Sequence, residues 1–393
     1  MDKKFVYADN TSTTALSDTA FDAMVPYFKN IYGNASSIHS LGHESKKALE
    51  QSRKKIATAI NARINEIFFT SGGSESDNWA LRCSLLRNNS KGRHIIISSI
   101  EHSGIFRTAE YLETQGYEVT YLPVDEYGKV SPHHLKNAIR DDTALISIMM
   151  ANNEIGTIQP IKELCKIAKE RNVPFHTDAV QTVGHIPVDV RDLNVDMLSL
   201  SAHKFRGPKG VGALFIRTGF SLPPLIIGGG QEKNKRSGTE NVPGIVGMAV
   251  ALEDAVENME ENIKKTTAMR DKIIESVLRI DGATLTGDPV DRLPSIASFL
   301  FSGLESKVIV AELSKVGICA SSGSACSSGS TELTRALKGT SKITEDTKKE
   351  NAKNGALRLS LNECNTNEDV DYILQELPIV IKALRLHKPS LVF

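Results

Sequence analysis

No stretch of this 393-residue chain is apolar for long enough to span a bilayer. Runs such as "ALISIMMA" at 144–151 fall far short of the roughly 20 residues a spanning helix needs. An excess of either charge is also missing, with 47 Lys plus Arg against 47 Asp plus Glu. Polyanion binders usually carry a basic face, so nucleic acid is not expected as a main partner, and neither is a membrane. The opening "MDKKFVYADN" has no apolar core and no cleavage site. No secretory signal is therefore expected, and a cytoplasmic location is the simplest reading. Cysteine is scarce: Cys83, Cys165, Cys319, Cys326 and Cys364, with no CxxC pair and no zinc-ligand spacing, so no metal site is expected. In a reducing compartment all should be free thiols. Four have apolar, helix-like or strand-like neighbours and are expected as small buried hydrophobes. Cys326 differs, because it sits in "ASSGSACSSGS" (320–330), where every other position is Ala, Ser or Gly.

What is present is an ordinary globular composition, 40% apolar and 24% charged, at a length that suggests two domains. Seven runs read as strands: "EIFFT" (66–70), "RHIIISS" (93–99), "YEVTYLP" (117–123), "TALISIMM" (143–150), "VPFHTD" (173–178), "DMLSLSA" (196–202) and "VGALFI" (211–216). Helical patterns lie between them, such as 43–60, beginning after Gly42, and 161–170. Apolar strands alternating with helices imply a mostly parallel sheet covered on both faces, with ligands at the carboxyl ends of the strands. A long helical run from 242 to 280 leads into a second α/β region. The charged segment 340–355 reads as a solvated loop or exposed helix.

Polar residues of interest fall at those strand ends. In "SLSAHKFRGPKG" a strand leads into Ser201, His203 and Lys204, two donors beside an amine. In "FFTSGGSESDN" a strand and a glycine turn open a helix, so Gly73 and Ser74 could meet an anion at its N-terminus. The plainer alternative is a helix merely capped by Ser74 or Ser76. In "FHTDAVQ" Asp178 ends a strand, with Gln181 just beyond, and a buried Asp there needs a cation or donors. A protonated pyridine nitrogen would be such a cation, with Lys204 holding the aldehyde of pyridoxal phosphate (PLP) as an imine. A free lysine of pKa ~10.4 is almost wholly protonated at pH 7, so a resting imine spares the need for a rare neutral amine. His102, after another strand, could stack on that ring and relay protons, or simply cap a helix.

Taken together, "TSGGSESDN", "EH", "NNEIGTIQP", "HTDAVQ", "SAHKFRGPKG", "GGGQEKNKRSGTEN" and "SSGSAC" resemble the NifS/IscS-type cysteine desulfurases, in the class-V aminotransferase family. The resemblance runs from "ADNTSTTALSD" to "LRLSLNE" near residue 361, nearly the whole chain. It implies the aspartate-aminotransferase-like α/β fold (PLP fold type I), with a large PLP domain over 16–255 built on a mostly parallel seven-stranded sheet. Residues 1–15 and 256–393 would form a smaller α/β domain carrying a mobile cysteine loop at about 320–335. By the same resemblance Lys204 carries the Schiff base, Asp178 pairs with the pyridinium and His102 stacks. Gln181 meets the ring oxygen, while Ser74, Ser201 and His203, with Gly73 beside them, take the phosphate. Asn153 and Arg358 hold the substrate carboxylate, and Asn153 also lies beside the cofactor. Thr239, in "RSGTEN", reaches a neighbouring subunit's phosphate, which implies a homodimer.

The implied reaction turns L-cysteine into L-alanine. Lys204 removes the Cα proton, and the Cys326 thiolate attacks the substrate sulfur and keeps it as a persulfide. The sulfur then passes to an acceptor protein, such as an iron–sulfur scaffold or a tRNA-thiolation protein. A thiol of pKa ~8.5 is only about 3% thiolate at pH 7, so the site must assist Cys326. Small neighbours suit a loop that swings between a buried cofactor and a partner; an accidental Cys in a linker is the plainer reading by composition alone. The chain departs from the family pattern in four places, one of them His43, where arginine or another residue often sits. Thr11 and Ser12 stand where alanines are usual, Ala35 stands where proline is frequent, and the segment after Cys326 is longer and more charged. The last departure leaves the acceptor open. A selenocysteine lyase, an aminotransferase and a partner-binding PLP protein remain the rival readings.

Overall fold

All seven expected strands enter one sheet. The structure, a computed structural model, describes residues 4–87, 92–323, 335–340 and 355–386. Among them β1 (Val6–Tyr7) and the helices α1 (Asp18–Lys29) and α2 (Ser40–Ala59) precede the sheet strands. These strands are β2 (Ile67–Thr70), β3 (His94–Ser98), β4 (Glu118–Leu122), β5 (Thr143–Ser147), β6 (Phe175–Asp178), β7 (Met197–Ser201) and β8 (Gly212–Ile216). The helices α3 (Gly73–Arg87), α4 (Ser103–Thr114), α5 (Pro132–Ala138) and α6 (Ile161–Glu170) lie between them. The strand order is β2-β8-β7-β6-β5-β3-β4. Only β8 runs against the rest, so the sheet is mixed but mostly parallel.

Both faces of the sheet are covered, and the strand period of two shows how. Phe68, Ile95, Ile97, Leu145, Met197 and Leu214 pack with Trp79, Leu81 and Leu85 of α3. The alternate residues Phe69, Ile96, Ile146, Leu198 and Phe215 pack on the other face with Ile56 of α2 and Leu164 of α6. Such strands cannot alternate apolar with polar, which is why they read as continuous apolar runs. Helix α6 buries Ile161, Leu164, Cys165 and Ala168, spaced as one helical face.

After the short turn α7 (Gln231–Asn234), the run expected as one helix is two, α8 (Val242–Glu257) and α9 (Met259–Val277). They break at Asn258, whose side-chain amide donates to the Asp254 carbonyl, 2.9 Å away. An asparagine that satisfies backbone groups itself competes with the helix ladder. Helix α2 also starts earlier than expected. It begins at Ser40, behind a His39 side-chain cap, so Gly42 lies in its first turn.

The remaining elements are β9 (Ala283–Leu285), β10 (Ile296–Phe301), α10 (Ser306–Lys315), β11 (Ile318–Cys319), α11 (Arg335–Gly339), β12 (Gly355–Ser360) and α12 (Asn367–Leu386). β12, β10 and β9 form a second sheet, and β1 pairs with β11. A separate core joins Val6 and Ala8 to Met269, Ile273, Phe299, Leu313, Leu357, Leu359, Ile373 and Leu377. The N-terminal residues thus pack with the C-terminal third.

Cys83 and Cys165 are buried, and burial pushes their thiols up to about 11 and about 12. Cys364 corrects the expectation of burial: it is exposed, and Cys319 is half-buried. β12 ends at Ser360, and Cys364 follows in a turn where its N–H donates to Asn362 Oδ1. No helix among the described residues is long and apolar enough to cross a membrane. Residues 341–354, most of the charged segment, lie outside the described residues.

Candidate active site

Strands β2, β3, β5, β6 and β7 point the same way, so their carboxyl ends meet at one edge. Gly73 and Ser74 follow β2, His102 follows β3, and Asn153 follows β5. Asp178 ends β6 with Gln181 beyond it, and Ser201 ends β7 ahead of His203 and Lys204. Ten of the twelve expected residues, these nine and Arg358 of β12, line one cavity of about 250 Å³. Thr11, Ser12, Asp77, Met149 and Val180 complete its wall. Thr239 is exposed and does not line it. Cys326 lies outside the described residues.

One end of the cavity gathers hydrogen-bond donors. Gly72 has φ +150°, and a Cβ on Gly73 would stand 2.7 Å from Val180 Cγ2, so only bare backbone fits at the start of α3. The free N–H groups of that helix end, together with Ser74, Ser201 and His203, form a donor set. Ser76 is not part of it; its hydroxyl is bonded to Thr70 Oγ1, 2.8 Å away, inside the protein. Burial, helped by the Lys204 and Lys209 charges, pushes His203 down to about 4. Its Nδ1 lies 3.1 Å from Thr13 Oγ1.

The middle of the cavity collects acidic side chains. Asp178 is buried, and its Oδ1 accepts the Val180 N–H at 2.9 Å. Burial raises its pKa, against the pull of His102, that N–H and Lys204. Asp77 is 1% exposed, and neither of its carboxylate oxygens has a well-placed donor among the described residues. Burial first, then Asp178, raises it well above the ordinary carboxyl range. Ligand atoms of Asp77, His102 and Asp178 lie within 4.8 Å of one another. Behind them burial pushes Glu101 up to about 8. Buried acids this close call for a positive group among them, and a pyridinium nitrogen fits that demand. His102 lines the cavity and also caps α4, its Nδ1 accepting the Gly104 N–H at 3.0 Å. The capping reading of this histidine is seen directly, and capping does not take it out of the cavity wall.

The opposite wall comes from the second core and the N-terminal segment. Lys204 Nζ donates to the carbonyls of Thr11 and Ser12, the latter at 3.0 Å. Gln181 Nε2 donates to the same Thr11 carbonyl at 3.2 Å. The Arg358 guanidinium, 1% exposed, donates to the Asn153 carbonyl, to Asp9 and to the Ser12 hydroxyl. Sequence reasoning missed Asp77. Its signal is position: it falls one helical turn after Ser74 on a helix whose next residues, from Trp79, are buried.

The profile of the class-V aminotransferase family matches residues 6–373. A curated cysteine desulfurase IscS from Methanosarcina thermophila is 50% identical over 388 residues, 99% of this chain and 95% of that one. Another from Dictyoglomus turgidum is 49% identical over 388 residues, 98% and 97% of the two chains. Among solved structures, a NifS-like protein superposes with TM-score 0.90 at 38% identity, covering 97% of this chain and all of the other. A protein named SspA, solved in complex with cysteine, superposes with TM-score 0.78 at 34% identity, over 91% and 98% of the two chains.

Proposed function

The chain belongs to the class-V aminotransferase family, and from that premise we propose how its residues divide the work of a PLP-dependent cysteine desulfurase. The observation that carries the assignment is the meeting of Lys204, Asp178 and His102 at one sheet edge, opposite Arg358 from the other core. Gly73, Ser74, Ser201 and His203 would hold the phosphate of PLP, Asp178 its ring nitrogen, Gln181 its ring oxygen, His102 its face and Lys204 its aldehyde. PLP supplies an electron sink that stabilises negative charge at the substrate Cα. Asp178, kept anionic by a cation in its burial site, sustains that sink.

Arg358 and Asn153 orient the L-cysteine carboxylate, and Lys204 Nζ takes the proton from Cα. Cys326 Sγ, as thiolate, then bonds to the substrate sulfur. The substrate C–S bond breaks, its electron pair stays with the carbon skeleton, and protonation there leads to L-alanine. The sulfur remains on Cys326 as a persulfide. The cysteine-bound state of SspA supports the substrate assignment.

The finer readings rest on further features. The two separate cores support a large domain at 16–255 and a small one made of 1–15 and 256–393. A homodimer is supported by large apolar side chains left exposed in one protomer: Phe28 at 61%, Tyr32 at 70%, Ile38 at 92% and Ile227 at 87%. In such a dimer the exposed Thr239 would face the neighbouring site. The IscS name of the relatives supports onward transfer to an acceptor for iron–sulfur assembly or tRNA thiolation. The four described cysteines are free thiols, as a cytoplasmic setting keeps them. The test is Cys326→Ser. Sulfide release from L-cysteine should vanish while the absorbance of bound PLP persists, and survival of sulfide release would overturn the assignment.

A further inference from the structure

We propose that Ser12 is a further positioning residue for the substrate carboxylate, acting through the fork of Arg358. The inference rests on the reading of Arg358 as the carboxylate clamp. Of the Arg358 nitrogens, Nη1 donates to the Asn153 carbonyl at 2.8 Å. Nη2 gives one hydrogen to Asp9 Oδ1 at 2.7 Å and the other to Ser12 Oγ at 2.8 Å. Nε is buried and has no partner among the described residues.

A guanidinium grips a carboxylate with two parallel N–H bonds, and each of its two-pronged edges includes Nη2. Both Nη2 hydrogens are engaged here, so a substrate carboxylate cannot be held by two bonds until one partner yields. Asp9 is the stronger of the two, because it is ionised and pairs with the cation. Ser12 is neutral, and it yields. Its hydroxyl already works in both directions, accepting from Arg358 and donating to Asp9 Oδ1 at 2.8 Å. Once released from Nη2, its proton can turn from Asp9 to the arriving carboxylate. The hydroxyl then stands between two carboxylates that share one guanidinium, and so softens their repulsion.

Ser12 lines the cavity beside Lys204, whose Nζ takes the Ser12 carbonyl, so the same residue touches both working cations of the site. An alanine there would keep that carbonyl and lose only the hydroxyl. The role is therefore separable from the fold.

The experiment uses the PLP-loaded Cys326→Ser protein, in which turnover is blocked, and titrates it calorimetrically with L-cysteine and with cysteamine, which lacks the carboxylate. Adding Ser12→Ala should weaken L-cysteine about tenfold or more, the scale of one hydrogen bond to a charged group, and leave cysteamine within about twofold. Ser12→Thr, which restores a hydroxyl, should recover most of the L-cysteine affinity. With Cys326 intact, Ser12→Ala should raise KM for L-cysteine and leave kcat nearly unchanged. Unchanged or tighter L-cysteine binding in Ser12→Ala would overturn the proposal, as would an equal loss for cysteamine. If the protein with Ser12 intact binds no L-cysteine, the reading of the cavity as a cysteine site fails, and the role of Ser12 falls with it.

Discussion

Arg53 and Glu232 face each other inside the protein through two bonds, Nη1 to Oε2 at 2.7 Å and Nη2 to Oε1 at 2.8 Å. Each side chain is only 4% exposed. Arg53 also donates to the Ile67 carbonyl and lies over the Phe69 ring, while Glu232 accepts the Phe69 N–H. The pair ties α2 and β2 to the loop 228–240, in which Glu232 has a left-handed φ of +47°. Residues 236 to 239 of that loop hold the Arg236–Glu75 ion pair and Thr239.

Removing one member leaves a buried charge alone. Glu232→Ala should lower unfolding free energy by about 3–5 kcal/mol, measured by urea denaturation. Arg53→Met with Glu232→Leu should be less destabilised than Glu232→Ala alone, since no lone charge remains. A double variant as unstable as the single one would contradict this account.

Asp178 offers a test of the cofactor site. Asp178→Ala should weaken PLP by on the order of 100-fold or more, because a buried ion pair loses its anion. Dialysis followed by absorbance of the retained cofactor measures it. Asp178→Asn keeps the shape and should still lose desulfuration.

Gly73 is fixed by space. In Gly73→Ala the new methyl would meet Val180 Cγ2 at 2.7 Å, and such overpacking costs about 1–3 kcal/mol. PLP retention should fall. Adding Val180→Ala should recover part of it, read by the same dialysis assay.

Glu101 sets a pH dependence. Burial raises it to about 8, so the folded protein keeps its proton between pH 4.5 and 8 while the unfolded chain loses it. The resulting stability is complete below pH 4.5 and is lost as pH rises towards 8, by at most about 1.4 kcal/mol per unit for this one group. Glu101→Gln retains an acceptor for the Ser98 hydroxyl and the Met149 N–H. Thermal midpoints should therefore fall less in the variant than in the parent between pH 5 and 8. Equal falls would show that Glu101 does not carry the effect.

Much of the fold was legible because its strands announce themselves. Ile95, Ile96 and Ile97 are buried on both faces of the sheet, and only a covered central strand tolerates such a run. Asp178, Lys204 and His102 were legible as polar residues at the ends of apolar strands. Asp77 was not, because an acid two residues before a buried Trp79 reads as the solvent side of a helix. Cys364 misled because the apolar strand β12 stops at Ser360, and the thiol follows among Asn362, Glu363 and Asn365 in an exposed turn.

The sequence by itself determined the alternation of strand and helix, the glycine turn that opens α3 and the chemical types gathered at the sheet edge, since these depend on residues close along the chain. Only the tertiary structure decided that Ser12 and Asp9 share the nitrogen of a guanidinium some 350 positions away. It also decided that three buried acids crowd where one was expected. Such relationships come from the packing of separate elements, and no local pattern of residues encodes the distance between them.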